Sequence, residues 1–139
     1  MAAQLAIGDI LQDYPYLWLR QRRAGETEGR KPRPVCVAIA VVGSQGQTHV
    51  ALLPLSSQAP AAGQSAVELP EAEIRRANLQ AGQRIWIYTG EYNYDIAERS
   101  YYLRRQGGTG HSLSLAFMKK VLAAFRPTLV SGAARVDRR

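Results

Sequence analysis

The sequence predicts a mainly β domain with added helices (α+β): a small, strongly curved antiparallel sheet or partly open barrel, carrying one short helix and a C-terminal helix. Three observations predict it. Residues 35–42 are almost continuously apolar and are closed by Pro34 and by Gly43-Ser44-Gln45-Gly46, the pattern of a strand buried on both faces. Further β-rich segments are short and separated by turn residues at close spacing, which favours a small curved sheet. Met118, Val121, Leu122 and Phe125 recur at helical spacing, so a helix near the C-terminus has a core-facing stripe.

In chain order, Gly8-Asp9-Ile10-Leu11 opens a first strand that continues through Tyr14, Tyr16 and Trp18. Pro15 interrupts it and, lacking an amide donor, assigns it to an edge or a bend. Residues 19–32, with Arg20, Arg22, Arg23 and the glycines Gly25 and Gly29, read as a long, mobile surface loop. Residues 48–55 form the hairpin partner of 35–42, and 58–65, rich in Ala, Pro and Gly, form a loop before a short strand at 66–69.

Residues 70–77 read as a two-turn helix with Pro70 first, acids in its first turn and arginines in its last, so its charges complement the helix dipole. Residues 84–89 alternate and form a strand. Residues 90–95 turn the chain, 100–103 form a last strand, and 106–110 break it. Ser112 caps a helix running to Phe125, which Pro127 stops. The domain thus spans 1–126, and 127–139 is a flexible basic tail.

At 139 residues the chain fits one core. Hydrophobic content of 46% with 21% charged residues excludes wholesale disorder. A net charge of +7 and a pI near 10.0 favour polyanionic partners, with Arg135, Arg138 and Arg139 placing part of that charge in the tail. The one cysteine, Cys36, lies in the apolar run, where a buried thiol is expected. With no disulfide partner, no signal-peptide pattern and no apolar run long enough for a bilayer, the default is a cytoplasmic protein without membrane contact.

Usable chemistry concentrates in residues 25–58. Gly8-Asp9-Ile10, then Gly25-Glu26 with Gly29 ahead of Arg33-Pro34-Val35, then Pro54-Leu55-Ser56-Ser57-Gln58 together resemble the MazF/PemK family of toxins from bacterial toxin–antitoxin modules. The resemblance covers about the first half of the chain. It implies an SH3-like barrel with a C-terminal helix, a homodimer, metal-independent cleavage of single-stranded RNA with no cofactor, and silencing by a partner antitoxin.

Carried over residue by residue, the arginine of the family's Arg-Pro pair falls on Arg33, its hydroxyl residue on Ser56, and the acid of its first long loop on Glu26. Extra residues around Arg30-Lys31-Pro32 leave a second register, in which Arg30 and Glu28 take the places of Arg33 and Glu26. Residues 91–95 do not reproduce the Asp-Gln pattern of the family's late strand. The expected RNA contacts are Arg30, Lys31, Ser57 and Gln58.

The chemistry is coherent. RNA supplies its own 2′-hydroxyl nucleophile, so the protein need only orient a phosphate, move protons and neutralise charge. Arg33 stays protonated and suits phosphate oxygens. Ser56 is a donor to phosphate, with Ser57 its alternative, and Glu26 is a base provided its pKa is raised.

Each has a plainer reading: Arg33 as a strand-end gatekeeper, Ser56-Ser57 as a hydroxyl-capped turn, Glu26 and Glu28 as solvated acids. His49 and His111 read as separate structural histidines. Tyr92, Tyr94, Tyr101, Tyr102 and Trp86 are either base-stacking platforms or packing residues. A non-catalytic module of the same architecture, binding nucleic acid or a protein segment, is the alternative to the ribonuclease.

Overall fold

A computed structural model describes residues 5–106 and 110–138. Residues 1–4 and 107–109, the latter the centre of the expected Gly-rich break, lie outside the described residues. The chain runs β1 (Ile10–Tyr14), α1 (Leu19–Arg23), β2 (Arg33–Val42), β3 (Thr48–Ser56), β4 (Ala66–Glu68), α2 (Glu71–Arg76), β5 (Trp86–Tyr88), β6 (Tyr92–Ile96), a 3-10 turn (Ala97–Arg99), α3 (Tyr101–Gln106), α4 (Leu115–Ser131) and β7 (Arg135–Asp137). Among the described residues, no helix is long and apolar enough to cross a membrane.

The architecture is mixed α and β, with a seven-stranded sheet and a C-terminal helix. β2 and β3 form its central hairpin, registered from Val35 opposite Pro54 to Val42 opposite Thr48, with an irregularity between Val37 and Ile39. The other edge of β3 is divided: His49 to Leu52 pair with β6, and Leu55 and Ser56 pair with β5. β1 lies outside β2, β4 outside β5, and β7 outside β6. The β6–β7 pair is parallel because a long crossover through α3 and α4 joins the two strands. The sheet is not closed: its hydrogen-bonded ladders do not return to β1 among the described residues.

Alternation along β2 and β3 explains why both read as continuous apolar runs. Cys36, Ala38, Ala51 and Leu53 face a core shared with Phe117, Met118, Val121 and Phe125 of α4. Val35, Val37, Val50 and Leu52 face an opposite cluster rich in aromatics, with Tyr14, Tyr16, Trp18, Trp86 and Tyr88. A sheet covered on both faces shows no polar alternation in its central strands. Cys36 is fully buried beneath α4, where burial raises its thiol pKa.

Several expectations are corrected. Residues 100–103 do not form a strand; Ser100 ends the 3-10 turn, and α3 follows, with the Ser100 hydroxyl accepting Leu103 N–H at 3.3 Å. The expected turn at 90–95 instead leads into β6 (Tyr92–Ile96), which pairs with the N-terminal half of β3. Ser114, not Ser112, caps α4; it accepts Phe117 N–H at 3.1 Å and donates to Glu73 from its backbone at 2.8 Å and its hydroxyl at 2.7 Å.

Pro127 does not stop α4, which continues to Ser131 and ends at Gly132 in the left-handed region. The helix tolerates the missing amide, and next to it the Thr128 hydroxyl donates to Thr89 C=O at 2.7 Å. Nor is 127–139 a frayed tail over its described length: β7 pairs with β6, and Arg138 donates to Pro15 C=O at 2.7 Å.

Candidate functional site

Arg33 begins β2 between Pro32 and Pro34. A residue before proline is pushed to extended backbone, so Pro34 prepares the strand entry. The Arg33 guanidinium is half-buried, with its carbon 5.1 Å from the centre of the Trp18 ring. Burial and the neighbouring Arg20 lower its pKa, without changing its charged state at ordinary pH. Its Nε is buried with no hydrogen-bond partner among the described residues, and so is Trp18 Nε1. Trp18 packs edge-on against Tyr16 at 5.1 Å and Tyr88 at 5.5 Å, giving the arginine an aromatic bed.

Ser56 ends β3 opposite Trp86. Its hydroxyl oxygen accepts Gln58 N–H at 3.1 Å, the turn-capping bond that its residue type predicts. The Gln58 carbonyl accepts the Tyr88 hydroxyl at 2.6 Å, which fixes the turn over β5. Arg33, Lys31, Ser56, Ser57 and Gln58 line one open cleft of about 500 Å³. Its other polar contributors are Gln12, Gln80 and Gln83, with Leu55, Leu79 and Ile85 as apolar lining. Two cations, hydroxyls and carboxamides can hold phosphate oxygens and the polar edges of bases. No carboxylate or imidazole is among the lining residues.

Glu26 and Arg30 are not among the residues that line this cleft. They pair with each other across one turn of chain: Arg30 Nε donates to Oε1 at 3.0 Å and Nη2 to Oε2 at 2.6 Å. The Arg30 bond holds the Glu26 carboxyl below its ordinary value, the reverse of the shift a resting general base requires. Glu28 is exposed.

The loop carrying these residues is anchored at both ends. Gly25, at φ +94°, turns the chain out of α1, and Gly29 lies so close to Pro15 and Tyr16 that an added Cβ would strike the Pro15 carbonyl. Residues 19–23 are helical, so the expected long loop is shorter than its sequence suggests.

The histidines are apart in role. His49 Nδ1 is hydrogen-bonded to the Tyr94 hydroxyl, with the rings stacked at 5.8 Å, whereas the His111 carbonyl accepts Ile10 N–H at 3.0 Å. Tyr92 packs on Phe125 at 5.1 Å, and Arg135 covers Tyr94 at 4.0 Å, so these tyrosines serve packing. Tyr101 and Tyr102 are exposed and meet edge-on at 5.4 Å. Among the described residues, no group of three or more His, Cys, Asp or Glu side chains is placed to hold a metal.

Sequence reasoning did not select Trp18, Arg20, Tyr88 or the three glutamines of the cleft. The alternation of Tyr14, Tyr16 and Trp18 was a signal for Trp18, since i, i+2 residues of an extended chain share a side; Arg20 lies in the helix α1 and had no such signal. The glutamines come from three separate segments and carried no local signal.

No protein-family model matches this chain, and no curated protein or solved structure matches it.

Proposed function

We propose that this protein is a toxin-like endoribonuclease that seats single-stranded RNA in the cationic cleft and cleaves it by internal transphosphorylation, leaving a cyclic phosphate and a free 5′-hydroxyl. The observation that carries the reading is the convergence of Lys31 and Arg33 with Ser56 to Gln58, two segments distant in sequence, on one cleft whose described lining residues include no carboxylate. Arg33 is the electrostatic stabiliser of the phosphorane-like transition state, held ready by its aromatic bed. Lys31, Ser57 and Gln58 contact the strand, and the Ser56 hydroxyl, which accepts from Gln58, retains its own proton to donate to a phosphate oxygen.

Glu26 enters as base by exchange: an RNA phosphate takes over Arg30, and the freed carboxylate accepts the 2′-hydroxyl proton as the 2′-oxygen bonds to phosphorus, while the phosphorus–5′-oxygen bond breaks and the 5′-oxygen leaves with a proton from water. The reading extends to an SH3-like barrel, a homodimer, a cytoplasmic setting and an antitoxin that occludes the cleft. These rest on the resemblance to MazF/PemK toxins.

A second reading, binding of single-stranded RNA without turnover, is favoured by the absence of a carboxylate or imidazole from the cleft lining. One experiment separates the two. Purified protein and its Arg33→Ala variant are incubated with mixed-sequence single-stranded RNA in chelator, and cut sites and end groups are read. Discrete cuts ending in cyclic phosphate, lost in the folded variant, support the ribonuclease. Salt-sensitive binding with intact RNA supports the module.

A further inference from the structure

Two guanidiniums share one indole. Arg20, in α1, lies with its guanidinium carbon 5.0 Å from the Trp18 ring centre, and Arg33, at the start of β2, lies at 5.1 Å. Their guanidinium carbons therefore stand no farther apart than the sum of those two distances, within the reach of one nucleotide step. Among the described residues, neither has a carboxylate within ion-pair distance. Glu91 is the acid that feels Arg20, but its Oε2 is already occupied by Leu19 N–H at 2.8 Å and by the Tyr16 hydroxyl at 3.1 Å.

Like charges held together on an aromatic bed repel each other, and a bound anion removes the repulsion. Arg33 Nε and Trp18 Nε1, on the two side chains of this stack, are both buried without a hydrogen-bond partner among the described residues. Trp18 is 5% exposed, so its ring is a support for the cations and not a stacking surface for a base.

We infer that Arg20 and Arg33, braced on Trp18, form a phosphodiester-binding locus that carries the nucleic-acid backbone out of the cleft toward α1. This rests on the proposed RNA reading and adds Arg20 and Trp18 to it. Arg20 is a binding residue here: it contributes charge and donors to the strand, and the transition-state role stays with Arg33.

The test uses a single-stranded oligodeoxynucleotide, which lacks the 2′-hydroxyl and is not cut, so binding is read apart from cleavage. Affinity is measured over a range of salt for wild type, Arg20→Ala, Arg20→Lys and, as a control on the same helix, Arg22→Ala. Losing one phosphate contact lowers the slope of log K against log salt by about 0.7 for a single strand. Arg20→Ala is expected to show that loss, Arg20→Lys to keep the wild-type slope, and Arg22→Ala to keep it as well.

In a Trp86→Phe background, which leaves Trp18 as the sole indole, the oligonucleotide is expected to change tryptophan emission and Arg20→Ala to abolish the change. An unchanged slope and affinity in folded Arg20→Ala overturns the inference even if the protein cuts RNA. A response of Trp18 to inorganic phosphate with none to the oligonucleotide also overturns it. An Arg20-dependent slope in a protein that leaves RNA intact sustains the inference and removes the ribonuclease.

Discussion

The Asn93 carboxamide pairs with both backbone groups of Leu17: its Oδ1 accepts Leu17 N–H at 2.9 Å, and its Nδ2 donates to Leu17 C=O at 2.7 Å. Both residues are fully buried. Where no ladder joins β6 to the segment after β1, one side chain completes the backbone bonding, and Arg138 adds a bond to the same Oδ1 at 3.3 Å. This tie holds Tyr16 and Trp18 in place, and thereby the bed of Arg33.

Asn93→Leu leaves the Leu17 amide and carbonyl buried without partners. The expected destabilisation is about 2–6 kcal/mol, from roughly 1–3 kcal/mol for each of the two stranded groups. Denaturant unfolding of the variant checks it. A loss within 0.5 kcal/mol, on the order of a surface substitution, would show that water or a shifted chain replaces the bonds.

Gly29→Ala is expected to undock the loop that carries Glu26, Arg30 and Lys31. The new Cβ would collide with backbone at Pro15 and Tyr16, which cannot swing away as a side-chain tip does. Overpacking of this kind costs about 1–3 kcal/mol. Faster proteolysis within residues 24–32, at unchanged cleavage of the remaining chain, is the expected readout.

Glu91→Gln tests a pH dependence with a definite sign. Burial holds the Glu91 carboxyl above its ordinary value, against the lowering effects of Leu19 N–H, the Tyr16 hydroxyl, Arg20 and Arg23. Between the unfolded value, about 4.3, and the raised folded one, the native state binds the extra proton. The stability from that proton is therefore full below the unfolded value and lost as pH rises through the folded value. The variant keeps an acceptor for Leu19 and Tyr16 but does not ionise, so its stability relative to wild type should grow from pH 4 upward, as about 4.3 is crossed. Parallel stability curves for the two proteins would contradict this origin.

Arg30→Ala tests the role of Glu26 in cleavage. Arg30 lowers the Glu26 pKa in the free protein, and the pH dependence of kcat/KM reports free-enzyme groups. If Glu26 is the base, its acid limb lies at low pH in wild type and moves to higher pH in the variant, while Glu26→Gln removes it and lowers kcat by about 10²- to 10⁴-fold. An acid limb unmoved by Arg30→Ala, with activity retained in Glu26→Gln, would release Glu26 from the mechanism.

Much of the scaffold was legible because it depends on local pattern. The apolar run of β2, its hairpin with β3, the short β4, α2 between Pro70 and Ala77, and β5 all follow from period, turn residues and caps acting within a few positions. The hydrophobic stripe of α4 was equally plain, although its cap is Ser114, which accepts Phe117 N–H and donates to Glu73, while Ser112 is bridged to Asp9. The strand β6 was missed because Glu91, Tyr92, Asn93 and Tyr94 mix polar and aromatic residues; its pairing is imposed by the open edge of β3.

The site divides along the same line. Local pattern was enough to show that an arginine flanked by prolines enters a buried strand, and that hydroxyls and an amide follow the next one. Folding brings these ends into a cleft with Gln12, Gln80 and Gln83, binds Glu26 to Arg30, and sets both Arg20 and Arg33 on Trp18. The physical reason is range. Backbone preference and hydrophobic period act over neighbouring residues, whereas a site is made by strand order, register and the crossing of segments far apart in the chain.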